Sequence, residues 1–513
     1  MLLSSYISTY SQNIPCEEAI VFLSKGSTQQ MGRNTLCWAE FDSMANRVAN
    51  MLIDKGVKKG NRVALVAENS LSWLPIYFGI LRSGAIAVLV NYRNTEDDIL
   101  YCLKSTGTAY TFVSQNIDQK LKKSSFFKGF WGKSIVMNED FEEDICVYAP
   151  LCVDVEINDN DPAVIYFSSG TTGKSKAVLI SHKSLLAAAM AEYSNHRQTK
   201  YDRFLCLLPL YHAGAKIHWF GSLLVGGVIV ISEGNSPYEI AETIYNEKIS
   251  IAWLVVPQIQ DILDLIRIGQ LKREKFFSLR LMHSGAQPIP KDLITRWKSE
   301  FPNMDCDISY GLTEATGPGC INLGIENFSR IGSIGKPTQG WKIRIVDEND
   351  NDVSEGIIGE LVLSGPGVMM GYYNDPGATK QSLKNGWLYT GDLARKDSDG
   401  FVYIEGRIKD VIISGGENIY PVQIENYVRK LDGIKDAAVI GIPNKRMGEI
   451  VMLVVELQNN KKVTKKEIRH YCEQLPEYQQ PSKIVIGQIP RNMTEKIDKN
   501  ILRNKILNKD PLV

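Results

Sequence analysis

The chain is 513 residues long, 44% apolar and 23% charged, the make-up of an ordinary globular protein with room for two to four domains and no bias toward disorder. Lysine plus arginine and aspartate plus glutamate both number 58, so no overall field draws the chain to nucleic acid or an anionic membrane, and a polyanion has to be held by local placement of charge. The nine cysteines include no Cys-x-x-Cys pair and point to reduced thiols in a cytoplasmic protein; neither chain end reads as a targeting signal, and the longest apolar run, 220–231, is too short to span a bilayer.

In chain order, apolar residues at helical spacing predict a helix over 38–53, closed by Lys55-Gly56, and then a strand over 62–67. Ser70 reads as the cap of a helix carrying Trp73, Ile76, Tyr77 and Ile80, followed by a strand over 85–90, a helix over 96–103 capped by Asn94 or Thr95, and a strand over 110–113. Residues 115–160 carry a basic and an acidic stretch, both read as solvated faces. Beyond a buried strand at 163–167, the pattern continues with helices over 183–193 and 213–224 and strands over 204–208, 228–231 and 251–255. This alternation predicts an α/β fold of doubly wound sheets. After about residue 330, short strands over 342–347, 359–364 and 401–405 with turn-rich links predict a small β-rich subdomain over about 330–408. The remainder, 409–513, reads as a compact α+β lid domain.

The most informative stretch is Tyr166-Phe167-Ser168-Ser169-Gly170-Thr171-Thr172-Gly173-Lys174-Ser175-Lys176. A buried strand empties into a turn of hydroxyls, glycines and lysines, a cradle for the phosphates of a nucleotide triphosphate: Gly170 and Gly173 let the backbone approach, Ser168, Ser169, Thr171 and Thr172 donate, and Lys174 and Lys176 supply charge. A Walker A loop is excluded because Ser168 stands where its first glycine belongs. Downstream, Tyr310-Gly311-Leu312-Thr313-Glu314 places a carboxylate that makes sense beside a triphosphate as a Mg²⁺ ligand, with Thr313 in reach of a phosphate oxygen. Asp392, in Tyr389-Thr390-Gly391-Asp392, offers two acceptors to the vicinal hydroxyls of a ribose, and Arg407 adds a donor.

These segments, in this order, resemble the adenylate-forming superfamily of acyl-CoA synthetases, amino-acid adenylation domains and beetle luciferases, from about residue 35 to 505. The resemblance implies an ATP-dependent carboxylic acid–CoA ligase that forms an acyl adenylate, releases pyrophosphate and then acylates the thiol of coenzyme A. It implies Lys496 as the catalytic lysine. It makes Gly285, Ala286 and Gln287 the turn flanking adenine and acyl group, with Tyr310 and Gly311 also at the nucleotide, and Gly415-Gly416 the lining of the pantetheine passage. Lys409 becomes the hinge of a rotating lid. The acyl pocket is expected from Tyr211, His212, Lys216, Gly285, Gly311 and Gly317, with His212 closing the carboxylate end, Lys216 meeting a polar tail, and Gly317, Gly319 and Gly324 leaving the far end open. Three departures stand out: Ser175 replaces a proline, Glu495-Lys496 replaces Gly-Lys, and Ser414-Gly415-Gly416 lacks the lysine that luciferases tend to place there, which speaks against light emission. A second reading is an enzyme loading an acid onto a carrier protein; no aspartate between Pro209 and Gly221 is available to hold an amino acid's amine. The implied partners are a small carboxylic acid, ATP and coenzyme A, with a homodimer compatible and no nucleic acid.

Overall fold

A computed structural model describes residues 2–25, 31–122, 133–168, 175–214, 218–285, 287, 289–458, 461–491 and 496–508. Among them the strands form four sheets. A nine-stranded sheet runs Lys336–Pro337, Gly317–Asn322, Asp305–Leu312, Leu281–Gly285, Ile251–Trp253, Arg203–Cys206, Val228–Ser232, Glu18–Ser24, Gly32–Cys37. A seven-stranded sheet runs Gly371–Tyr372, Lys176–Ser181, Pro162–Ser168, Ile86–Leu89, Arg62–Val66, Tyr110–Ser114, Ser134–Met137. Both are parallel at the centre; the nine-stranded sheet is antiparallel at both edges, the seven-stranded one only at the edge that ends in Gly371–Tyr372.

Their strands are apolar on both faces because both faces are covered, the expectation for buried parallel sheets. Alternation then sorts side chains between cores: Ile20 and Phe22 join the core between the two large sheets, whereas Val21 and Leu23 join the core on the outer face of the nine-stranded sheet. The inner core holds helices Trp38–Asp54, Trp73–Arg82 and His182–His196; every residue of Trp73–Arg82 is buried, which is why that helix is apolar all round. Helix starts follow local chemistry. Ser236 and Glu239 form a capping box with Pro237 at the first turn, and Thr464 and Glu467 form another.

A five-stranded sheet joins Lys342–Val346, Gly359–Ser364, Trp387–Lys396 and Leu383–Lys384, with Val402–Arg407 against Trp387–Lys396. The last sheet holds Glu417–Ile419, Ile412–Ser414, Gly448–Leu457 and Ile434–Asn444, with Lys483–Ile486 parallel to Gly448–Leu457. It has separate cores on its two faces, one around Val439 and Leu453, the other around Ala438, Val454 and Leu502. The architecture is therefore a large α/β region of stacked sheets followed by a smaller C-terminal domain.

Several sequence expectations are corrected. Strand Pro162–Ser168 pairs in antiparallel with Lys176–Ser181, Ser168 opposite Lys176, a strand not anticipated ahead of the helix at 183. Ser72, not Ser70, occupies the N-cap of the helix beginning at Trp73, and its side chain makes no cap bond. The helix expected over 213–224 is assigned over Phe220–Val225, with 215–217 outside the described residues. Helix Leu3–Asn13 and strand pair Glu18–Ser24/Gly32–Cys37 were not anticipated. Nor is the β-rich stretch self-contained: Gly371–Tyr372 pairs with Val178 and Leu179 of the seven-stranded sheet. No helix among the described residues is long and apolar enough to cross a membrane, and all nine cysteines are free thiols.

Candidate active site

A cavity of about 1910 Å³ opens where the ends of the two large sheets meet the third sheet and the C-terminal domain. Ser168, Lys176, Tyr310, Glu314, Asp392, Arg407 and Lys496 all line it. Ser169, Gly170, Thr171, Thr172, Gly173 and Lys174, the middle of the predicted phosphate cradle, lie outside the described residues, as do Lys216 and Ala286.

Glu314 sits in a single turn of 3-10 helix, Thr313–Ala315, at the end of strand Asp305–Leu312. Its Oε1 accepts from Ser168 Oγ at 3.2 Å and from Tyr372 Oη at 2.9 Å. Lys176 Nζ lies 4.7 Å from the centre of the Tyr372 ring, so one tyrosine touches both the carboxylate and a cradle lysine. Burial, with the Glu314 charge added, pushes the Tyr372 phenol well above its usual value. Tyr372 was missed because its two-residue strand has no periodic signal.

Asp392 is held by the strand Trp387–Lys396, directly across from Arg407 in the antiparallel ladder. Its Oδ1 receives Arg407 Nε at 2.9 Å and its Oδ2 receives the Tyr310 hydroxyl at 2.5 Å. The Asp392 amide donates to Thr390 Oγ1, and the Gly391 amide to Glu360 Oε1, so the backbone around the carboxylate is fixed from both sides. Both oxygens thus carry a donor from the protein itself, one more constraint on Asp392 than the ribose argument assumed.

Lys496 reaches this group from the C-terminal domain. Burial costs the ammonium its hydration, Arg407 repels it and Asp392 offsets part of both, which brings its pKa down to about 8.

On the opposite wall, Asn69 pins the turn after strand Arg203–Cys206: its Nδ2 donates to the Leu208 carbonyl at 3.1 Å and its Oδ1 accepts from the Leu210 amide at 2.8 Å. That turn presents Tyr211, packed edge-on against Tyr92 at 5.7 Å, and His212, which lines the cavity. Asn69 too escaped the sequence reading, since an asparagine in a loop carries no distinguishing pattern. Gly285 and Gly311 are glycines for packing reasons: a Cβ on Gly285 would stand 2.7 Å from the Ser309 carbonyl oxygen, and one on Gly311 would overlap that of Gly317. Gln287 and Gly317 also line the cavity. Gly319 does not leave open space, because Glu192 Oε1 would stand 3.0 Å from its Cβ.

Gly415 and Gly416 are not among the residues lining the cavity. They are the two central residues of a hairpin turn between Ile412–Ser414 and Glu417–Ile419, both with positive φ (60° and 91°), and Ser414 pairs with Glu417. Lys409 lies on an exposed turn, Ile408–Asp410, at the cavity rim.

Stacked α/β sheets, a smaller C-terminal domain and acidic and basic groups gathered at the seam between them define a two-domain enzyme of the kind that handles nucleotides. Residues 12–373 match the model of the AMP-binding enzyme family and residues 423–496 that of the AMP-binding enzyme C-terminal domain, and the chain belongs to this family. It is 30% identical to a long-chain-fatty-acid–CoA ligase, FadD13, of Mycobacterium tuberculosis over 92% of this chain and 93% of that one. It is also 30% identical to a 2-succinylbenzoate–CoA ligase of Bacillus cereus over 90% and 91%. Among solved structures, the o-succinylbenzoate CoA synthetase MenE of Bacillus subtilis in complex with its acyl-adenylate intermediate superposes with a TM-score of 0.83 at 26% identity, covering 98% of this chain and 97% of that one.

Proposed function

We propose that this chain is an ATP-dependent carboxylic acid–CoA ligase: it joins an acid to the α-phosphorus of ATP with loss of pyrophosphate, then passes the acyl group to the thiol of coenzyme A. The observation that carries this reading is the meeting of Lys496 with Asp392 and Arg407 in one cavity with Glu314, although these residues come from distant parts of the chain. Relatives named as CoA ligases along almost the full length support the same reading.

A carboxylate attacking ATP is an anion approaching a polyanion, a repulsion of about 4 kcal/mol per pair of unit charges at 4 Å. Cations fixed in advance offset it without reorganisation. Lys496 is aimed at the nucleoside anchor and would hold the oxygens of the acid and the α-phosphate together. Asp392 and Arg407 would hold the ribose, and Lys176 would face the distal phosphates. Glu314, with the hydroxyls of Ser168 and Tyr372 on one of its oxygens, is an all-oxygen donor set of the hard type that suits Mg²⁺, and when bound the ion would neutralise phosphate charge. Thr313 would donate to the α-phosphate, and His212 would close the carboxylate end of the pocket.

The thiol has to enter where Lys496 stands. We assign the boundary between residues 1–408 and 409–513, with Lys409 as the pivot: its exposed, solvated side chain is free to reorient, and rotation about it would withdraw Lys496 and bring the Gly415–Gly416 turn to the cavity. The free thiols fit a cytosolic setting. The test is acid-dependent pyrophosphate release from ATP and Mg²⁺, followed by addition of coenzyme A or a phosphopantetheinylated carrier protein. Acyl-CoA formation supports the proposal; acylation of the carrier protein alone, or no acid-dependent release with any of a panel of fatty, aryl and dicarboxylic acids, overturns it.

A further inference from the structure

Three of the six histidines, with two carboxylates, are buried together away from the predicted nucleotide groups. Glu192 and His196 lie one turn apart near the end of helix His182–His196, His218 just before helix Phe220–Val225, and His283 and Asp307 side by side on neighbouring parallel strands. Glu192, His196, His283 and Asp307 are wholly shielded from solvent, and only His218 reaches the cavity wall.

The hydrogen bonds of this group run in one direction. Asp307 is held by the Ile308 and Gly324 amides at 2.8 and 2.9 Å and by Asn322 Nδ2 at 2.5 Å. It faces His196 Nε2 at 2.9 Å and His283 Nδ1 at 3.4 Å. Donation from both of these nitrogens leaves lone pairs on the opposite sides of the rings, His196 Nδ1 and His283 Nε2. Those are the nitrogens that approach Glu192 Oε2, at 3.2 and 3.9 Å, together with His218 Nδ1 at 3.8 Å. His218 Nδ1 and His283 Nε2 are 2.8 Å apart. Glu192 itself makes no hydrogen bond through either oxygen despite complete burial, a cost of several kcal/mol for a charged group.

We infer that Glu192, His218 and His283 form a binding site for a divalent transition-metal ion of the Zn²⁺ class, with Asp307 orienting His283 from behind and His196 packed beside it. The three donor atoms stand 2.8, 3.8 and 3.9 Å apart, about the roughly 3.3 Å edge of a tetrahedron with metal–nitrogen bonds near 2.0–2.1 Å. One oxygen and two nitrogens, with water from the cavity side as a fourth donor, suit Zn²⁺ or Co²⁺ over Mg²⁺ or Ca²⁺. A carboxylate behind ligating histidines is the arrangement that fixes tautomer and raises ligand basicity. Gly319 supports the site by leaving room for Glu192 Oε1. An ion here would tie helix His182–His196 to strand Leu281–Gly285 beneath the cavity wall that His218 reaches.

The test uses the full-length protein. Zinc is measured in protein as isolated, then removed with a chelator, and CoCl₂ is titrated into the metal-free protein while visible absorption and thermal unfolding are followed. We expect about one ion per chain, the intense ligand-field bands of four-coordinate Co²⁺, and a melting temperature that falls on removal and returns on addition. Glu192→Gln, isosteric and uncharged, should abolish those bands, and Asp307→Asn should weaken Co²⁺ binding about 10–100-fold. Absence of both stoichiometric zinc and the four-coordinate spectrum in the wild-type protein overturns the inference whatever the variants do, as does a spectrum that survives Glu192→Gln unchanged.

Discussion

Strand Asp305–Leu312 carries two polar assemblies with opposite electrostatics. At its C-terminal end, Tyr310 donates to Asp392, whose other oxygen is paired with Arg407, and Glu314 just beyond receives two hydroxyls. Every carboxylate there has a donor from the chain, and the cavity beside it is open to a ligand. Three residues before Tyr310, Asp307 is saturated likewise, but the Glu192 it helps to surround has nothing to accept from. The first assembly is balanced from within and reads as prepared for a charged substrate that comes and goes. The second leaves one sealed carboxyl without a partner. Burial explains the contrast: a solvated rim tolerates an imperfectly paired charge, whereas a sealed interior does not.

The strongest way to break the cavity side of this comparison is Lys496→Ala. Removing the cation that the C-terminal domain sets beside Asp392 and Arg407 should slow acid-dependent pyrophosphate release about 10²–10³-fold, the cost of deleting a preorganised charge partner. Full-rate adenylate formation with collapse of thiol transfer would reverse the assigned roles. Asp392→Asn keeps the shape but weakens two charge-assisted hydrogen bonds and strands Arg407. ATP affinity, read from the ATP dependence of the same assay, should fall about 10–100-fold, the loss of 1.5–3 kcal/mol.

The Lys496 pKa of about 8 supplies a pH test. Because burial lowers it, the ammonium is present below that value and lost as pH rises through it, so kcat/KM for adenylation should be level near neutrality and fall above about pH 8. Lys496→Arg, which stays charged, should carry lower activity with that alkaline limb displaced upward; an unmoved limb would assign the titration to another group. The smallest effect sharpens the comparison. Tyr372→Phe removes one of two hydroxyls from Glu314 and should cut the rate about 2–10-fold, with a shifted Mg²⁺ dependence, while leaving Co²⁺ binding at the buried cluster untouched.

Many of the groups that line the cavity were legible in the sequence. Gly-Leu-Thr-Glu, Thr-Gly-Asp and the arginine that follows are contiguous motifs, and close packing or charge demands those residue types wherever the strands go. What escaped was carried by pairs distant in the chain. Tyr372 reaches Glu314 through a two-residue edge strand, Asn69 clamps a turn near residue 209, and Gly415–Gly416 sits away from the cavity that the family resemblance led one to expect it to line. The alternation of strands and helices was read correctly through the large sheets, but the hairpin over 162–181 and the ten-residue strand Trp387–Lys396 were not, because turn-forming residues such as Thr390-Gly391 mask a strand that bends through them.

Taken alone, the amino-acid order determined the class of fold, the two-part chain and the residue types that meet a nucleotide, since local periodicity and short motifs need only neighbours in sequence. Tertiary structure decided which of these groups share a cavity, that Lys496 lies beside Arg407 and Asp392, and that Glu192, His196, His218 and His283 converge. The reason is that sheet register sets such distances: the pairing of His283 with Asp307 is a consequence of how two strands lie side by side, and no window of sequence contains both.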